Sequence, residues 1–282
     1  MNDDGKLNKR NFLTAAAIAG AGLPLLSGMS TPARAQLLDT GISPDSMLSK
    51  LKKGGTLRIG YAQNPLWFYK DPKTGELQGI YKDLADQLAS DLEMKAEYQE
   101  VNFGNATVAL RKGDFDLLAA SFTFTAARGL VVNFIGPIWT KGSLAIVHKD
   151  DADKYKTLAD LNNENVTISV SAGATEEARM PLLFPKAKVL SVAGQQALAA
   201  EPVRARRATA YWTGDIDILS LAKRNSWAHV IDPDHPFDKR PNTWAIRYGD
   251  EPWKNFLDMW VATVLATGQV QALYKSYVER FT

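Results

Sequence analysis

The sequence predicts an α/β fold, with central, mostly parallel sheets flanked by helices. Two observations carry that expectation. From Thr56 onward, short runs rich in β-branched and apolar residues recur along the chain, and amphipathic helical stretches separate them. The length of 282 residues adds a third, because it suffices for one large domain or two modest ones with cores of their own.

Taken in order, the chain begins with a tripartite segment. Lys9 and Arg10 supply positive charge, residues 11–33 are uncharged, and Ala33-Arg34-Ala35 forms a small-x-small site before Gln36. That is the layout of a secretory signal peptide over residues 1–35. The uncharged run is long enough to span a membrane, but Gly20, Gly22, Pro24, Ser27 and Gly28 dilute it. Asn8-Lys9-Arg10-Asn11-Phe12-Leu13 also resembles a twin-arginine export signal with Lys in the first Arg position. The expected destination is the periplasm. Residues 36–55 read as a polar leader.

Leu57-Arg58-Ile59-Gly60-Tyr61 then reads as a strand. Tyr81, Leu84, Ala85, Leu88, Ala89 and Leu92 follow at helical spacing and form one apolar face. Further strand-like runs fall at 96–101, 116–121, 144–148, 166–170, 188–192, 208–212 and 243–248. Near the C-terminus Asp250 is a candidate N-cap with Pro252 in the first turn. Trp253, Phe256, Leu257, Trp260, Val261, Val264 and Leu265 make the buried stripe that follows. Ligands in such sheets bind beyond the carboxyl ends of strands, so the residues just after each strand are where a site is expected.

Composition narrows the function classes. Of 33 basic and 31 acidic side chains, four and two lie in residues 1–35, which leaves 29 of each. A neutral balance of this kind argues against nucleic-acid binding, which needs a clustered basic face. The absence of cysteine excludes disulfides, Cys-ligated zinc, thiol nucleophiles and a lipid-modified N-terminal Cys. His148, His229 and His235 are isolated, with no metal-ligand spacing, and no metal or other cofactor is expected.

The most informative stretch runs from Asp114 to Arg128. An apolar strand, Leu117-Leu118-Ala119-Ala120, leads into Ser121-Phe122-Thr123-Phe124-Thr125 and then Arg128. Physically this is a carboxylate trap: a guanidinium offers a bidentate fork, and hydroxyls and loop amides complete the hydrogen bonds. The same pattern also suits a helix-initiating loop with a solvated Arg.

The order Gly-x-x-Asp, apolar run, Ser-x-Thr-x-Thr-x-x-Arg, then Asn133-Phe134 and Pro137, resembles family 3 of the bacterial extracellular solute-binding proteins. Leu57-Arg58-Ile59-Gly60, Gly75 to Ala85, Thr157-Leu158-Ala159-Asp160-Leu161, Ser171 to Glu177 and Trp244 to Asp250 resemble further segments of that family in the same order. The resemblance covers roughly residues 56–282. It implies a type II periplasmic binding fold with two lobes joined by two hinge crossings. Lobe 1 is expected over residues 56–147 and 243–282, and lobe 2 over residues 148–242. The function implied is capture of a small carboxylate or amino-acid ligand and its delivery to the membrane permease of an ABC importer, by a monomer that is not an enzyme.

Carried over residue by residue, the resemblance makes Arg128 the partner of the ligand carboxylate, with Thr123 beside it and Thr175 from the opposite lobe. Ser121 is expected to face an ammonium group. Phe103 falls where the family stacks an aromatic on the ligand, and Trp67 lies in a loop that lines the cleft; local core packing is the alternative for both. Glu176 and Asp215 are the acids within reach. Gly214 stands where the family carries an Asp that pairs with the ammonium, and a one-residue slip would bring Asp215 there. Two other readings of the same fold stay open. One is a cyclohexadienyl-dehydratase-like enzyme with Asp217 or Glu176 as general acid; the other is a periplasmic accessory of a redox enzyme.

Overall fold

The computed structural model describes residues 41–50, 55–71 and 73–281. The expected signal peptide at 1–35 lies outside the described residues, and no helix among the described ones is long and apolar enough to cross a membrane.

In chain order the first half contains β1 (Thr56–Ala62), a short hairpin of β2 (Tyr69–Lys70) and β3 (Leu77–Gln78), α1 (Ile80–Asp91), β4 (Lys95–Val101), α2 (Ala106–Lys112) and β5 (Leu117–Thr123). A helical turn at Ala126–Gly129 leads into β6 (Asn133–His148), which is 16 residues long. Then come β7 (Thr167–Ser171), α3 (Thr175–Leu183), β8 (Lys188–Val192), β9 (Ala210–Gly214), α4 (Asp215–Arg224) and β10 (Ala228–Ile231). β11 (Phe237–Ile246), α5 (Glu251–Ala266) and α6 (Gln269–Phe281) finish the chain.

These strands form one continuous sheet in the order β4-β1-β5-β11-β6-β9-β7-β8, with β10 also paired to β6. It is mixed rather than mostly parallel. Parallel trios stand at the two ends, β4-β1-β5 and β9-β7-β8, because each is built from strand–helix–strand crossovers. The centre is antiparallel, because β11 carries the chain back alongside β6.

The two-residue period of the strands sorts their side chains into four cores. In the first half, Leu57, Ile59, Leu117, Ala119, Trp244 and Ile246 face α1, α5 and α6, whereas Leu118, Ala120, Phe122 and Ala245 face α2. In the second half, Ala145, Val147, Ile168, Val170 and Trp212 pack with α3; Leu144, Ile146 and Tyr211 pack with Ile218 of α4. Two lobes result. Trp244 and Trp212 are fully buried, one in each lobe; each ring covers about 150–250 Å² of surface, making them leading contributors to their cores.

The first crossing differs from the expected place near His148. Ser143–Val147 pairs with Gly214–Ala210 of β9, and the side chains of Leu144, Ala145, Ile146 and Val147 belong to the second-lobe cores. The change of partner therefore falls at Thr140–Gly142, where β6 leaves Pro241 and Arg240 of β11 for β9. Within the polar leader, residues 41–50 pack on the first lobe. Ser46 Oγ and Met47 N donate to the Asp250 carboxylate at 2.7 Å each, and Met47 is buried in the first-lobe core. Asp250 at the same time caps α5 by accepting from Trp253 N at 3.1 Å.

Candidate functional site: the inter-lobe cleft

β5 ends at Thr123, deep between the lobes, and the turn after it aims Arg128 back over the strand. Thr125 caps that turn, its Oγ1 accepting from Arg128 N at 3.2 Å. The guanidinium carbon then sits 4.1 Å from the centroid of the Phe122 ring, a cation–π contact. Nη1 donates to Thr123 O at 2.9 Å.

The other donors of Arg128 cross to the second lobe. Nη1 reaches Thr175 Oγ1 at 3.3 Å and Nη2 reaches Gly173 O at 2.8 Å. Gly173 has φ +73°, and a Cβ there would lie 2.5 Å from Gly104 Cα, so the two lobes meet backbone to backbone. Across the same cleft the side-chain amides of Asn64 and Gln196 meet at 3.2 Å, and Asn64 also lies against the Asp217 carboxylate. The cleft is closed.

Around Arg128 lies a cavity of about 10 Å³, the order of space one water occupies. Phe103, Ser121, Thr123, Arg128, Thr175 and Glu176 line it, which are six of the eight side chains singled out from the sequence. A larger cavity of about 350 Å³ adjoins it, sharing Phe103 and Gln196 and reaching Gln63, Glu100 and Gln195. Burial lowers the Arg128 pKa to about 10, with the charge of Glu176 acting against the fall. The guanidinium stays charged at neutral pH.

Trp67 and Asp215 stand elsewhere. Trp67 is buried in the first-lobe core, 4.9 Å from the Tyr81 ring and 6.3 Å from that of Trp139. The tight turn that bridges Asn64 to Phe68 tucks it under the sheet rather than over the cleft. Asp215 Oδ2 accepts from Gly142 N at 2.9 Å and Oδ1 from Ile216 N at 2.8 Å, so it braces the crossing of β6.

Lys141, Asn242 and Gln196, which sequence reasoning passed over, complete the site beside Asp217, which it considered as a general acid. Lys141, 9% exposed, lines the cavity beside Gln196 and Thr213, and its Nζ donates to Ser121 Oγ at 3.3 Å. Asn242 Nδ2 donates to the same Ser121 oxygen at 2.8 Å. Behind the wall, Gln196 Nε2 donates to Thr213 Oγ1 at 2.8 Å and to Asp217 Oδ2 at 3.0 Å. Burial pushes Asp217 up to about 7, against the opposing charge of Lys141. No motif announces Lys141 or Gln196; only the register of β6 and the loop after β8 bring them here.

Residues 57–280 match the bacterial extracellular solute-binding proteins, family 3. The chain belongs to that family. Among its relatives is the ABC transporter glutamine-binding protein GlnH of Bacillus subtilis, 24% identical over 241 residues, which cover 84% of this chain and 86% of that one. Another is the cyclohexadienyl dehydratase of Pseudomonas aeruginosa, 20% identical over 83% of this chain and 87% of that one. Among solved structures, an ancestral amino-acid-binding protein described as a precursor of cyclohexadienyl dehydratase is 32% identical. It superimposes with a TM-score of 0.74 over 82% of this chain and 99% of its own. This family 3 member thus has relatives on both the binding and the catalytic side, and the periplasmic binding fold expected from the sequence is the fold it has.

Proposed function

We propose that the chain is an exported binding protein that closes on a small carboxylate-bearing solute and presents it to the permease of an ABC importer. The observation that carries this reading is the reach of Arg128 from the end of β5 to Thr175 Oγ1 and Gly173 O in the opposite lobe. A planar carboxylate offers the same fork two acceptors and a full charge, so it displaces the two main-chain carbonyls at a gain. Thr123 and Thr175 stand on either side to complete it. The amino-acid-binding relatives support the transport role, and the extracellular description of the family supports export. Calorimetric titration tests it: a carboxylate that binds the wild type should lose most of its affinity in Arg128→Ala. Full retention of affinity would sink the assignment.

A dehydratase-like reading takes support from one feature, the buried Asp217 with its raised pKa. Asp217 lines neither of the two cleft cavities, so the binding reading is preferred. Formation of an aromatic product from prephenate or arogenate would reverse that preference.

A further inference from the structure

We propose that Lys141 is a second cationic anchor, and that the solute presents to it an oxygen on the carbon next to the carboxylate, as a 2-hydroxy or 2-oxo acid does. The inference rests on the carboxylate-clamp reading of the cleft. It starts from a buried ammonium whose hydrogen bonds are incomplete. An ammonium has three donors and no acceptor, and among the described residues Lys141 Nζ has one hydrogen bond, to Ser121 Oγ. It forms no ion pair with a carboxylate there, although its side chain is more than nine-tenths buried. A charge held in that state is costly unless an acceptor arrives to complete it. Lys141 and Arg128 line the same small cavity, so the acceptor must lie close to the carboxylate that Arg128 takes.

The surrounding acids do not offer a place for an ammonium instead. A side chain on Gly214 would begin 3.0 Å from Asp217 Oδ2 and 3.6 Å from Lys141 Nζ, so Lys141 fills the space that faces Asp217. Asp217 accepts from Gln196, and both Asp215 oxygens accept from main-chain amides. Ser121 Oγ already accepts from Asn242 and Lys141. A solute ammonium at this end meets the like charge of Lys141 on the cavity wall, and no unpaired carboxylate lines that end. Glu176 is the remaining acid on the wall, and its charge bears on Arg128 at the other end. A 2-hydroxy acid has a proton to give it; an amino acid bound through Glu176 is the outcome that contradicts the proposal.

The test uses matched acids that differ at one atom. The unmodified chain is titrated calorimetrically with 2-oxoglutarate, 2-hydroxyglutarate and L-glutamate, and with pyruvate, L-lactate and L-alanine. The oxygen-bearing acid of at least one set should bind roughly tenfold or more tighter than its amino counterpart, as expected for a charge-assisted hydrogen bond against a charge repulsion. Lys141→Met should abolish that preference and Lys141→Arg should keep it, with circular dichroism confirming the fold of each. Equal or tighter binding of the amino acids, or an unchanged preference in Lys141→Met, overturns the proposal and leaves Arg128 capture standing. Undiminished binding to Arg128→Ala overturns the clamp reading instead, and binding of none of the six acids overturns the proposal while leaving the clamp reading to its own test.

Discussion

The two cations of the cleft make an instructive pair. Arg128 is held by Thr123 O, Thr175 Oγ1, Gly173 O and the face of Phe122. Lys141, similarly hidden from solvent, holds Ser121 Oγ. The Arg128 end is a latch that the protein closes on itself, so a ligand there must exchange one set of acceptors for another. The Lys141 end has donors in reserve, and a ligand there adds bonds without breaking any. Affinity should therefore reside largely in the latch, and discrimination among acids in the reserve.

That contrast can be broken at several points. The largest effect is expected from Arg128→Ala, which should weaken carboxylate binding roughly a hundredfold, in keeping with the loss of one partner of a buried charged pair. Gly173→Ala comes next. Its Cβ would enter the Gly104 backbone at a positive φ, so closure should cost about 1–2 kcal/mol more and affinity should fall about tenfold. Small-angle scattering should show a smaller contraction on ligand addition than in the wild type. Thr175→Val removes one hydroxyl from the latch and should cost a few-fold to about tenfold in affinity by calorimetry. The smallest effect is on stability. Burial raises the folded pKa of Asp217 to about 7, above its unfolded value, so the folded state keeps a proton that the unfolded state has released. Its favourable contribution is complete below about pH 4 and is lost as pH rises through about 7. Thermal midpoints at pH 5 and pH 8 should show Asp217→Asn gaining on the wild type as pH rises.

Much of this architecture is legible in the sequence where local pattern and tertiary role coincide. The α1 stripe is buried as its spacing requires, the α5 stripe is buried except for the half-buried Phe256 and Leu265, and the strand that runs into Arg128 ends at the cleft. The first half of β6 escapes such reading because Gly136, Pro137, Thr140, Lys141 and Gly142 interrupt any alternation. Its strand character comes from pairing with β11, distant in sequence. Lys141 escapes for the same reason, since a lone lysine after Trp139-Thr140 is ordinary until the register turns it into the cavity. Trp67 misleads in the other direction, because an aromatic in a loop carries no mark of which side of the sheet it will fall on.

β6 and β11 run side by side through both lobes, and their register slips between Phe237 and Arg240 and again between Asn242 and Trp244. Mechanically this is a leaf spring rather than a pair of strings. A hydrogen-bonded ribbon resists shear and stretching along its length but bends and twists where its ladder is irregular. A lobe motion about this ribbon would be bending and twisting at those two slips, which would keep the two walls of the cleft in alignment. Trp139 sits at this flexure, stacked 4.5 Å from the Tyr274 ring. Its fluorescence offers a built-in gauge of the stroke.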